Sequence, residues 1–341
     1  MKKILFISLA FVLALTLAMP VFAADVDTQA TVGGSGSAPY VCAKFETPDD
    51  EPADGTQIFP IPGGQKMVKF YIVGGDPNGV PDISAFYIKV YELDGTTLKF
   101  QLDAIKPAWT VIPYTGMIDM DGDCTGDTSV PDALDDLEAQ GRITYSYDPV
   151  RGVDMDLDLL KYDLAEGKQM MVELVGYMDY HQPAGDYKVE AIVVDQGGKT
   201  GTLINFFKYI SIVALKIDFS AINWGTVNVN QWNILYGDSQ MGTASKPTVQ
   251  NIGNDPSKLQ LTATNMLGQV FQKVITNFDA YMSGGHVEFP SNTPTVITDA
   301  SGNAILLPPC TPTQIDFSVH PPTGTPEDIY VGKMNITILH Y

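Results

Sequence analysis

A mainly β chain of two β-sandwich domains, the first with a helix-containing acidic insertion, is predicted from three observations. Apolar residues recur at every second position in many short runs. Clusters of Gly, Pro, Asn and Asp separate those runs, in a chain with 31 Gly and 23 Pro. At 341 residues the chain also exceeds the size, about 250–300 residues, at which one core usually gives way to two.

The chain opens with the features of a secretory signal peptide. Lys2 and Lys3 precede the apolar run Ile4–Met19, and Val21 and Ala23 occupy the small-residue positions of a cleavage site. The run is shorter than the roughly 20 residues that span a bilayer. Residues 1–23 are therefore expected to be removed, which places the product outside the cytoplasm, secreted or at the cell surface. No further transmembrane segment, anchor helix or lipidation signal is expected, the last residues being Thr337–Tyr341. Residues 24–39, polar and rich in Gly and Ser, read as a flexible arm.

The composition narrows the partners. The chain has 20 basic and 40 acidic residues, a formal net charge of −20, and signal removal takes two lysines with it. Such a surface is repelled by phosphate backbones and anionic lipid, so nucleic acid is excluded as a partner. Divalent cations and neutral or basic surfaces suit it better, and solvation alone accounts for most of the acids.

The first domain is read over residues 40–211. Val68, Phe70 and Ile72 alternate with Lys69 and Tyr71, a strand with one buried face. Phe86, Ile88 and Val90, then Asp94-Gly95, then Leu98 and Phe100 read as a hairpin. Pro107–Thr128 is irregular and acidic. Val130–Gln140 reads as a helix with Pro131 in its first turn, and Leu157, Leu160 and Leu164 mark a second helix with acids at its start. Strands return at Met170–Tyr177, Tyr187–Val194 and Thr202–Phe207, with Phe206 and Phe207 both assigned to the core. The second domain, residues 212–341, follows a short stiff junction near Ser211–Leu215. Its strands are expected at Val213–Phe219, Leu259–Ala263, Ile315–Val319 and Met334–Leu339.

The second domain resembles the Ig-like sandwiches of exported archaeal and bacterial cell-surface proteins, which carry such domains in tandem. The resemblance rests on Ile222–Val227 (INWGTV), Pro247–Asn254 (PTVQNIGN) and the closing run Tyr330–Ile338 (YVGKMNITI). The first domain is similar to another exported Ig-like type through Phe45–Asp50, Asp76–Gly79 and Ala184–Val189. The resemblance implies two Ig-like β-sandwiches and a surface location, and it implies no catalytic residues, because the sandwich hosts many functions.

Asp119, Asp121, Asp123 and Asp127 are the candidate metal ligands. Carboxylates alternating around Gly122 can converge on one Ca2+, which takes six to eight oxygens. Gly122 precedes the third acid and Val130 stands where an EF-hand has Glu, so the loop is not an EF-hand. The four histidines, His181, His286, His320 and His340, lack zinc-ligand spacing, and no nucleophile elbow is present. Of three possible disulfides, Cys42–Cys124 is preferred, because both fall in the first domain, leaving Cys310. Trp224 is read as core, and Trp109, Trp224 and Trp232 as a sugar platform only in the alternative. Asn335-Ile336-Thr337 is a glycosylation sequon that requires Asn335 to face solvent.

These readings predict a non-enzymatic surface or matrix protein for adhesion or assembly, stabilised by calcium. Its expected partners are cell-surface or matrix proteins, glycans or further copies of itself. Two alternatives stay open. One is a filament or sheath subunit whose arm (Val26, Thr28, Ala30, Val32) adds a strand to a neighbour. The other is a secreted carbohydrate-binding or glycan-hydrolysing protein.

Overall fold

Strand alternation and frequent turns give mostly antiparallel sheets, with Gln57–Ile58 pairing parallel to Thr200–Tyr209 as the exception among the described strands. The computed structural model describes residues 36–51, 55–290 and 292–341. The residues expected to form the signal peptide, and most of those expected to form the arm, including its alternating residues, lie outside the described residues. The fold is mainly β, with 46% strand and 7% helix. No described helix is long and apolar enough to cross a membrane.

Among the described residues, strands before Ser211 pair only with one another, and so do those after it. In the first half, one five-stranded sheet runs Thr110–Ile112, Gln169–Asp179, Gln65–Gly75, Tyr40–Thr47, Thr144–Tyr145. The facing sheet runs Gln57–Ile58, Thr200–Tyr209, Gly185–Asp195, Ile83–Tyr91, Leu98–Ile105. Val68, Phe70, Ile72, Phe86, Ile88, Tyr187, Val189 and Phe207 fill the space between them. Within it the Tyr187 and Phe207 rings stack 5.6 Å apart. The expected hairpin forms, with Val90 opposite Phe100. Asp94 accepts N–H bonds from Thr96 and Thr97, so the connection spans six residues rather than a two-residue turn.

Two expectations need correction here. The Val68–Ile72 strand is buried on both faces, because the helices cover its outer side. Val130–Ala139 and Leu157–Ala165 are capped by Ser129 and Asp156, and they pack Leu134, Leu137, Leu160 and Leu164 against Phe45, Tyr71, Val73 and Met171. The insertion therefore builds a third layer. Phe206 is 58% exposed while Phe207 is buried. Adjacent strand residues point to opposite faces, so only one of the pair can enter the core.

A bulge between Val41 and Ala43 in the Tyr40–Thr47 strand reverses which face its residues present. Val41 belongs to the inter-sheet core, whereas Ala43 and Phe45 face the helices. Lys44 and Glu46 are thereby turned inward and fully buried. The Lys44 ammonium meets Glu46 Oε1 at 2.8 Å and also donates to Asn205 Oδ1, whose Nδ2 donates to Glu46 Oε2 at 2.7 Å.

The second half surrounds a core of Leu259, Leu261, Phe278, Ala280, Ile315, Phe317 and Val319. Its closing strand Met334–His340 pairs with Ser257–Ala263, Leu261 opposite Ile336. Trp224 packs on this core and donates to the Phe317 carbonyl at 3.1 Å. Trp109 packs on the first core, and Trp232 lies against His320 with its ring tilted, centroids 5.0 Å apart. Asn335 is exposed, as its sequon requires.

The halves meet through the Asn251–Asn254 turn. Asn254 accepts from Ile212 N–H at 2.7 Å and donates to the Ile210 carbonyl at 2.8 Å, imitating a strand partner. A side chain at Gly253 would begin 2.3 Å from the Ile212 carbonyl oxygen, so the backbone contact requires glycine.

The expected Cys42–Cys124 disulfide is absent, and all three cysteines are free. Cys42 is buried under the helical layer, whereas Cys124 sits exposed in the acidic loop. Burial, with Asp148 and Asp163 nearby, pushes the Cys42 thiol well above its ordinary pKa.

Candidate functional site

The strands Met117–Ile118 and Thr128–Ser129 pair antiparallel, so residues 119–127 form the loop of a short hairpin. Asp119, Asp121 and Asp123 each bring one oxygen within 4.8 Å of the others, and Asp127 is not part of that cluster. The cluster's capacity is largely committed. Asp119 Oδ1 accepts from Gly122 N–H at 2.6 Å, and Oδ2 accepts from Cys124 N–H at 2.9 Å. Lys69 supplies a positive charge 2.7 Å from Asp119 Oδ2. Asp121 accepts from Asp123 N–H, Asp123 from Thr125 N–H, and Asp127 from the Thr128 hydroxyl. Strand alternation puts Lys69 on the face opposite Val68 and Phe70, the face expected to meet solvent. It is instead buried as the loop's internal cation.

Burial alone would raise the Asp119 pKa, but Lys69 and the two N–H donors outweigh it and hold the carboxyl below its usual range. A depressed folded-state pKa gives stability that is present above the unfolded value, about 3.9, and is lost as pH falls through the folded value. Denaturation midpoints measured between pH 2 and 6 should therefore fall less steeply with acid in Asp119→Asn than in the wild type. Parallel curves would remove Asp119 from the acid limb.

A second site is apolar. The strands Met266–Gly268, Val274–Ile275 and Tyr330–Val331 form a small ribbon in which Leu267 lies opposite both Val274 and Val331. Cross-strand partners share a face, and all three side chains are exposed. Val270 and Phe271 in the adjoining turn are 73% and 57% exposed, and Ile329, next to the Tyr330–Val331 strand, is 67% exposed. The turn is held from within. Asp328 Oδ2 accepts from Val270 N–H at 2.9 Å and Phe271 N–H at 2.8 Å, while Oδ1 accepts from Ile329 N–H at 2.8 Å. Desolvation pushes the Asp328 pKa up, but these donors prevail and hold it below the ordinary value. A Cβ at Gly268 would lie 2.5 Å from Asp328 Oδ2, so a larger residue there would have to displace the carboxylate from its donors. The signal available in the sequence was Val270-Phe271 between Gly268 and Gln272, an apolar pair where a turn is normally polar.

The buried Asp279 carboxylate contacts His286 Nε2 and accepts from the Tyr281 hydroxyl at 2.7 Å, with Tyr281 stacked on the His286 ring. The hydrogen bond to Asp279 and desolvation push the Tyr281 phenol up to about 12, so it stays protonated at neutral pH.

No model of a known protein family matches the chain, and no curated protein matches it. Solved structures do align along most of its length. The C-terminal domain of the Streptococcus pyogenes antigen I/II-family protein AspA is 13% identical over 87% of this chain and 96% of that one, with a TM-score of 0.23. The CsuC–CsuE chaperone–tip adhesion subunit pre-assembly complex of archaic chaperone-usher Csu pili from Acinetobacter baumannii is 11% identical. That alignment covers 86% of this chain and 99% of the other, at a TM-score of 0.29. A carbohydrate-binding module of the β-sandwich superfamily is 10% identical over 89% and 97%, at 0.21. At such TM-scores the folds do not superpose as wholes, so the functional reading rests on this chain's own residues.

Proposed function

We propose that this protein is an exported, non-enzymatic surface or matrix protein that acts by adhesion or assembly. The observation that carries the reading is the exposed apolar face of Leu267, Val274 and Val331, with the exposed Val270, Phe271 and Ile329 on the adjoining residues. Contiguous exposed apolar surface is uncommon unless it binds something. Here Asp328 orders the backbone beneath the face before any partner arrives, which lowers the entropic cost of binding. The face is mostly aliphatic, which favours a protein partner over a glycan, since sugars stack on aromatic rings. The leader sequence supports the surface location and the acidic composition supports solubility there.

The test is saturable binding of the purified protein to cell-envelope fractions of the organism that makes it. Leu267→Ser/Phe271→Ser is expected to weaken binding by about tenfold or more, the effect of losing central apolar anchors. Its melting temperature should barely move, because both side chains already face solvent. Equal binding by variant and wild type would remove the face from the account, and turnover of an envelope glycan would replace adhesion with hydrolysis.

A further inference from the structure

A second set of carboxylates lies at one end of the first sandwich, away from both sites above. Asp76 follows the strand Gln65–Gly75, Asp82 ends the short turn Val80–Asp82, and Asp195 is the last residue of Gly185–Asp195. A bulge between Val194 and Asp195 shifts the pairing there, setting Asp195 opposite Ile83. One oxygen from each carboxylate lies within 4.8 Å of one from each of the others.

An independent observation points to a ligand. Asp76 is only 6% exposed, and its Oδ1 accepts from Asn78 N–H at 2.7 Å. Its Oδ2 is buried with no hydrogen-bond partner among the described residues. An ionised oxygen in that position is costly unless a positive charge meets it. Burial pushes the Asp76 carboxyl above its ordinary pKa; the Asn78 N–H partly offsets this, and Asp82 and Asp195 add to the rise. The contrast with the Asp119 loop is direct, because there Lys69 already stands against the carboxylate.

We propose that Asp76, Asp82 and Asp195 bind one calcium ion. Three carboxylates, taken singly or as bidentate ligands, supply three to six oxygens, and water completes the six to eight that calcium accepts. Magnesium fits less well, since it keeps much of its water and demands regular octahedral geometry. The frame is preorganised: Gln196 N–H donates to the Asp82 carbonyl at 2.8 Å, and Asp195 Oδ1 accepts from the Lys199 backbone N–H at 2.8 Å. The ion ties the turn after one strand to the end of another in the facing sheet, and the proposal stands apart from the adhesive face.

The experiment is calorimetric titration of the EDTA-stripped protein with calcium chloride, repeated with magnesium chloride. Wild type is expected to bind an equivalent of calcium that is lost, or weakened at least tenfold, in Asp76→Asn and in Asp82→Asn. Asp121→Asn/Asp123→Asn should retain that equivalent. Without calcium, Asp76→Asn should melt no lower than wild type, because it removes an unpaired buried charge. Should Asp76→Asn fail to fold, Asp82→Asn, at a less buried position, decides the matter. No calcium binding by wild type, survival of binding in both variants, or its loss only in the Asp121/Asp123 variant would overturn the assignment. Equal affinity for magnesium would overturn the choice of calcium.

Discussion

Glu46→Ala is expected to cost about 3–5 kcal/mol of folding stability, the usual penalty for stranding one partner of a buried ion pair. The Lys44 side chain is fully buried, and burial already lowers its pKa despite the neighbouring Glu46. Without Glu46, the ammonium keeps, among the described residues, only Asn205 Oδ1 and, at 3.4 Å, the Val189 carbonyl. Neither carries a compensating charge, so the native state must hold an unpaired cation or give up the proton. Urea unfolding at neutral pH measures the loss as a shift in midpoint with little change in slope. The double variant Lys44→Met/Glu46→Leu should recover most of it, because removing both charges together leaves no stranded partner. A loss below about 1 kcal/mol in Glu46→Ala would mean that water reaches Lys44.

Arg151→Met should be comparably damaging, at about 3–5 kcal/mol, but its effect should be local to the helical layer. Arg151 reaches two buried carboxylates at once. Its guanidinium grips Asp163 through both oxygens at 2.6 and 2.5 Å, and Asp148 Oδ2 at 2.6 Å. The Asp163 and Asp148 bonds hold the Arg151 pKa above its ordinary value. Asp163 lies in the Leu157–Ala165 helix and Asp148 in the segment leading to it, so the arginine fastens the helical layer. Cys42, buried beneath that layer, is a built-in reporter. In a Cys124→Ser/Cys310→Ser background, Cys42 should react slowly with a thiol reagent and much faster once Arg151 is replaced. Unchanged stability together with unchanged labelling would contradict the role.

The sequence revealed local order well and the packing of layers poorly. Ile315, Phe317 and Val319 alternate because one face of their strand meets a core, and that period can be read directly. The two helices declared themselves through Pro131, the acids near Asp156 and the leucine spacing. What they cover could not be read, because a strand's second face is decided by elements distant in the chain. Tyr71 and Lys69 therefore looked solvent-facing and proved buried. The bulge that turns Lys44 and Glu46 inward leaves no periodic trace, since an extra residue simply shifts the alternation. The acidic loop stood out because its acids are close in sequence. The Asp76, Asp82 and Asp195 group did not, because its third member is supplied by a different strand. The apolar ribbon was missed for a similar reason: its strands are two or three residues long, too short to show a period.

The central claim, recognition through the apolar ribbon, is tested most directly by hydrogen–deuterium exchange of the protein alone and bound to envelope fractions. The account predicts slowed exchange at 266–275 and 329–331 on binding, with the rest of the second half unchanged. Protection confined to other surfaces, or none at saturation, would contradict it.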